Sequence, residues 1–170
     1  MKGRLFLFLL ISTLLFNCSN STSPILKDSE FGIYLLKDST LSTSAAMNKS
    51  LGSLEVKEKP LIDLDGIVTY DWSEHLITLS SDAYENVKYI ETKAMSTTGL
   101  PFVVIVDDAK IYLGIIFPLY SSSMPPQVLP YIYHAPLNEF KIRQARLDIE
   151  DKRNDERIYS VLKENGKLTD

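Results

Sequence analysis

Short apolar segments between polar turns predict most of the strands of this chain. Phe31 to Lys37 is short, apolar and rich in β-forming residues, as in a buried strand. Ile67 to Trp72 alternates apolar and polar positions, and His75 to Ser80 follows after a polar turn, so the two predict a β-hairpin. On this alternation, one face of the first hairpin strand carries Val68, Tyr70 and Trp72.

A second predicted hairpin forms the centre of the sheet. Phe102 to Val106 and Ile111 to Phe117 are apolar at successive positions, which is typical of strands buried on both faces. The polar residues Asp107 to Lys110 predict the turn between them. We therefore expect Val104 and Ile115 to lie in the core.

Three segments predict helices. Leu41 to Leu51 has good helix formers, and Asp82 to Met95 begins with Asp82 as N-cap and Glu85 three residues later. Asp155 to Asn165 predicts a terminal helix, whose buried face carries Ile158, Val161 and Leu162. The order of these elements predicts an α+β fold, with a mainly antiparallel sheet and helices packed on one face.

The segment from Pro118 to Pro136 predicts a long proline-rich loop. It contains five prolines, and few regular elements tolerate that density. Long loops in compact domains are often functional, and tyrosines lose little conformational entropy on binding. We therefore expect a recognition loop here, formed by Tyr120, Tyr131, Tyr133 and His134.

Composition excludes several classes of function. The chain of 170 residues is 45% hydrophobic and 24% charged, which predicts one globular domain over residues 31–170. Its 18 basic and 22 acidic residues give a net charge of −4, which argues against nucleic acid as a partner. One cysteine and two histidines predict no metal and no cofactor. In Asp148 to Arg157, interleaved charges favour local ion pairs over a metal site.

The N-terminus has the layout of a secretory signal peptide. Lys2 and Arg4 precede an uncharged apolar run from Leu5 to Phe16, which is too short to span a bilayer as a helix. The following Leu15-Phe16-Asn17-Cys18 resembles the lipobox of bacterial lipoprotein precursors, although Asn17 replaces the small residue that the family prefers there. The resemblance implies that residues 1–17 are removed and that the Cys18 thiol is diacylated.

Lipid on Cys18 implies a place for the protein. Residues 18–30 would then form a polar, flexible tether from the bilayer. The resemblance implies a lipid-anchored domain on the cell membrane or outer membrane, facing the periplasm or the exterior. The small uncharacterised lipoproteins of bacterial genomes share this general plan.

Residues 67–117 resemble the periplasmic head subdomain of SecD-type protein-export components. The resemblance rests on a hairpin, a helix with a Gly-Pro stop, and the hairpin sequence VVIVDDAKIYLG at residues 103–114. It implies a related arrangement of strands and helix. An export-motor role does not follow, because the family's transmembrane helices have no counterpart in this sequence.

The leading functional hypothesis is a non-enzymatic interaction or accessory domain with an envelope protein as its partner. No serine elbow or other catalytic motif accompanies the two histidines. His75 lies at a predicted hairpin end, where a solvated or capping side chain is usual, and His134 lies in the proline-rich loop. The alternatives are an envelope hydrolase that uses His75 or His134, and a lipoprotein that binds a small ligand.

We predict that Cys18 carries lipid. Cells that express the protein are grown with a clickable fatty acid, and labelling is compared between the wild type and Cys18→Ser. Label should appear on the wild type and be absent from the variant, because the thiol is the group that is acylated. Equal labelling of the two proteins would contradict the prediction.

Overall fold

A nine-stranded sheet that curls into a half-barrel forms the body of the described part of the protein. The structure is a computed structural model, and it describes residues 30–93, 98–118, 121, 124–134 and 138–169. The strands are β1 (Phe31–Leu35), β2 (Ile62–Asp63), β3 (Ile67–Asp71), β4 (Leu76–Leu79), β5 (Leu100–Val106), β6 (Ala109–Pro118), β7 (Tyr131–His134), β8 (Glu139–Arg143) and β9 (Leu168–Thr169). Their order is β2-β1-β5-β6-β7-β8-β4-β3-β9; the pairs β6–β7 and β3–β9 are parallel, and the other pairs are antiparallel.

The helices of the described segments are short. They are α1 (Thr43–Met47), α2 (Ser81–Lys93) and α3 (Glu156–Glu164), with 3₁₀ turns at Leu51–Ser53 and Lys152–Asn154. Ser42 caps α1 and Asp155 caps α3, each accepting a hydrogen bond from a backbone N–H of its helix. None of the helices in the described ranges has both the length and the apolar character needed to cross a bilayer.

Strands β5 and β6 are buried on both faces, as their sequences predict. Phe102 and Val104 of β5 pack in the inner core, whereas Val103 between them packs in a second cluster on the outer face. Val104 and Ile115 are both 0% exposed. Because both faces carry apolar side chains, the sheet needs cover on both sides.

Helices provide this cover from opposite sides: α2 and α3 on the inner side, and α1 on the outer side. Helix α3 inserts Ile158, Val161 and Leu162 into the inner core, which confirms its predicted buried face. It contacts β1 and β5 near one end of the strand order and β9 at the other end, so the sheet curls around it. On the outer face, Ala46 of α1 packs with Val103.

Gly114 lets an aromatic ring lie across the central hairpin. It pairs with Phe102 of the neighbouring strand, and a Cβ atom at this position would lie 2.3 Å from Cζ of Phe102. The Phe102 ring also makes an edge contact with Tyr112, with 6.4 Å between centroids. The missing side chain is therefore a packing requirement of the inner core.

The predicted fold class is wrong. The sheet is mixed rather than mainly antiparallel, and the helices lie on both faces rather than on one. Residues 131–134, which were predicted as loop, form β7 parallel to β6, and the two-residue β9 pairs parallel to β3. Helices on both faces follow from the two-sided burial of β5 and β6.

The predicted face of β3 is also wrong at one position. The register with β4 shifts between Ile67 and Thr69, so Val68 is an extra residue in a β-bulge. The bulge turns Val68 outward, where it is 52% exposed, while Ile67 and Tyr70 both reach the inner core. Simple alternation cannot reveal such an insertion.

The start of α2 differs slightly from its prediction. The helix begins at Ser81, and the hydroxyl of Ser80 accepts a hydrogen bond from the Ala83 N–H at 3.3 Å. Asp82 therefore lies in the first turn. The prediction that Asp82 is the N-cap is wrong. The predicted end of this helix, at Met95, lies outside the described residues.

We predict that Val104→Ala lowers the free energy of unfolding by about 2 kcal/mol, from lost transfer energy plus a cavity. Val68→Ala makes the same chemical change at an exposed position and should cost less than about 0.5 kcal/mol. Urea denaturation of the two purified variants measures both values. Equal losses would show that β5 is not the core strand.

Candidate functional site

Two residues of the predicted recognition loop lie on the outer face of the sheet. Tyr131 and Tyr133 belong to β7, and Ile132 between them points into the inner core. The two tyrosine rings meet edge to face with 5.3 Å between centroids, and Tyr133 also lies 6.2 Å from the ring of Phe117. Tyr133 is 37% exposed, so this tyrosine pair presents aromatic surface to solvent.

The other predicted site residues have different outcomes. The backbone of His134 pairs with Pro118 at the end of β7, so this histidine lies in a strand rather than in an irregular loop. The structure does not describe the side chain of His134. Tyr120, Cys18 and the tether up to residue 29 also lie outside the described residues. Their predicted roles stay predictions.

An open apolar groove of about 310 Å³ lies beside β6 and was not predicted. Its lining includes Met47 of α1, and Leu51 and Leu54 at the first 3₁₀ turn. Residues 111–113 and 128–130 also belong to the lining. Met47 is 37% and Val128 is 48% exposed. The sequence feature that could have indicated this groove is the apolar pair at positions 128–129 inside a proline-rich segment.

Among the described residues, the lining of this apolar groove includes two lysines and no acidic side chain. Lys49 follows α1, and Lys152 begins the second 3₁₀ turn. The Lys152 ammonium pairs with the carboxylate of Glu150, which does not belong to the lining. The groove is therefore locally basic in a chain whose net charge is −4.

His75 lies in a buried polar cluster on the inner side of the β3–β4 hairpin. Its side chain is 7% exposed, which contradicts the solvated position that we expected. Its Nδ1 lies 3.2 Å from the Tyr70 hydroxyl, and its Nε2 lies 3.9 Å from Oδ2 of Asp151. The Trp72 ring contacts the imidazole edge to face.

Arg153 connects this cluster to the rest of the sheet. Its guanidinium donates two hydrogen bonds to the Asp151 carboxylate, at 2.8 and 2.6 Å, and a third to the backbone carbonyl of Ile142 at 2.8 Å. The Ile142 N–H in turn donates to the His75 carbonyl at 2.9 Å. The cluster thereby fixes the hairpin, β8 and the second 3₁₀ turn to one another.

Burial and the Arg153 charge lower the pKa of His75 to about 4, against the opposing effect of Asp151. The imidazole is therefore neutral at neutral pH. With both ring nitrogens facing protein groups and little access to solvent, this arrangement favours a structural role.

Several acidic side chains elsewhere make hydrogen bonds or ion pairs within the chain. Asp63 accepts a hydrogen bond from the Gly66 N–H at 2.8 Å. The predicted local ion pairs are confirmed in the charged segment, for example between Arg157 and Asp155 at 2.7 Å. In the described part of the chain, no group of three His, Cys, Asp or Glu residues has an arrangement that could hold a metal ion.

Comparison with protein-family models, curated proteins and solved structures found no match to this chain. The lipobox and SecD-type resemblances therefore rest on the sequence alone.

We predict that the contribution of His75 to stability falls by about 1 to 3 kcal/mol as pH decreases from 6.5 to 4, because its pKa is about 4 in the folded protein and about 6.5 in the unfolded chain. The unfolded chain binds a proton at His75 first, so acid in this range favours unfolding. Above pH 6.5 this contribution is fully present.

The measurement is urea denaturation across this pH range for the wild type and His75→Gln. The difference between their unfolding free energies should shrink as the pH falls, because the variant cannot titrate at this position. Burial raises the pKa of the Asp151 carboxyl, but the hydrogen bonds and charge of Arg153 outweigh this and hold the pKa below its usual range; both proteins keep this carboxylate. A difference that does not vary with pH would contradict the assigned environment of His75.

Proposed function

We propose that this protein is a bacterial lipoprotein, held at the cell envelope by lipid on Cys18, whose domain binds an envelope protein without catalysing a reaction. Binding takes place on the outer surface, which we define as the apolar groove together with Tyr131 and Tyr133. The observation that carries the proposal is the exposed apolar lining of that groove.

The anchor has support in the N-terminal sequence. Two or more acyl chains on Cys18 would hold the protein firmly, because each buried methylene contributes about 0.8 kcal/mol. The polar residues 19–30 would place the domain about 20 Å from the bilayer as a flexible coil. Loss of residues 1–17 removes Lys2 and Arg4 and makes an already acidic chain more acidic, which disfavours flat contact with anionic lipid.

The outer surface has the chemistry of a protein-binding site. Met47 and Val128 present apolar side chains to solvent, and the tyrosine pair adds aromatic area nearby on the same face of the sheet. Adjacent exposed apolar and aromatic side chains are typical of interaction sites. A methionine also adapts its shape to different partners.

The two alternatives have less support. A site for a small molecule usually encloses most of its ligand, whereas this groove is open to solvent. A hydrolase would need an accessible base beside a nucleophile, whereas the His75 side chain is buried between Tyr70 and Asp151 and no serine elbow accompanies His134 in the sequence. Non-catalytic binding therefore accounts best for the exposed features.

We predict that a photoreactive benzoylphenylalanine at position 128 crosslinks to an envelope protein in the native host. The matched control carries the same group at position 68, where Val68 is similarly exposed on β3, outside the lining of the groove. A discrete adduct should form from position 128 and be absent from position 68. Adduct yield should fall when Cys18→Ser is added, because the domain loses its place at the membrane.

Two outcomes would contradict the proposal. The same adducts from both positions would indicate random encounters, and no adduct from position 128 would remove the groove from the binding surface. An adduct that is unchanged by Cys18→Ser would reject the contribution of the anchor while leaving the groove as a binding site.

A further inference from the structure

We propose that the apolar groove takes an extended apolar peptide segment that carries a carboxylate. The inference rests on the proposed function and names the chemistry of the partner at that site. It is carried by the apolar lining, the open shape of the groove and the charges at Lys49 and Lys152.

The shape of the groove favours a peptide over a lipid chain. The groove has a volume of about 310 Å³ and is open to solvent. An acyl chain lying in it would leave part of its methylene surface in water, which is unfavourable. An extended peptide can bury alternate side chains against Leu54 and Leu113 while its backbone stays hydrogen-bonded to solvent.

The charge of the groove favours a carboxylate on that peptide. Lys49 and Lys152 belong to the lining, and no acidic side chain does so among the described residues. Lys152 already pairs with Glu150 at the surface, so a ligand carboxylate would share or replace an exposed ion pair. Such exchange costs little, because exposed ion pairs are weak.

The experiment uses methyl NMR on the purified full chain. The probe is the synthetic peptide acetyl-Gly-Ser-Leu-Ala-Leu with a free C-terminal carboxylate. Two companion peptides separate the sources of charge: the same sequence with a C-terminal amide, and the amide extended by one aspartate. Sodium dodecanoate tests the lipid alternative.

Saturable shifts should appear at the methyl groups of Met47 and Val128, whereas those of Val68 should not move. The uncharged amide should bind up to about fivefold more weakly than the acid, as expected for an exposed ion pair. The double variant Lys49→Gln with Lys152→Gln should remove that difference. Lys88→Gln, on α2 and outside the lining, should preserve it.

The arms separate failure of this inference from failure of the proposed function. No saturable shift with any peptide up to about 1 mM, or shifts with dodecanoate alone, would overturn the peptide assignment. Equal affinity of acid and amide would overturn the role of the lysines. If a crosslink from position 128 still forms in cells, the binding surface stands and only its ligand chemistry is wrong.

Discussion

The rest of this structure depends on the two-sided burial of the β5–β6 hairpin. Its strands carry apolar side chains at successive positions, so neither face can remain in water. The inner face is covered because the sheet curls around α3. The outer face is covered by α1, the first 3₁₀ turn and Leu129, which pack in one smaller cluster.

The two covers differ in completeness: the inner one is closed, and the outer one leaves the proposed binding surface exposed. On the inner side the polar groups of His75, Asp151 and Arg153 have partners within the protein and lock several elements together. On the outer side the short α1 leaves the apolar groove open at Met47 and Val128.

Local sequence patterns predict what local physics determines. The apolar strands β5 and β6 and the buried face of α3 were correct because burial follows directly from those side chains. Strand β7 was missed because prolines flank it closely, although residues 131–134 contain none. Its parallel pairing with β6 depends on the connection through residues 119–130, which local patterns do not determine. The burial of His75 was missed because Asp151 and Arg153 are distant in sequence. The groove was missed for the same reason, since four separated segments form it.

Hydrogen–deuterium exchange of the protein in isolated envelopes, compared with the purified protein, tests the central claim most directly. The account predicts slower exchange in the envelope at residues 43–54 and 124–134, which border the outer surface, and no change at residues 67–79 of the first hairpin. Equal exchange rates in the two samples at residues 43–54 and 124–134 would contradict it.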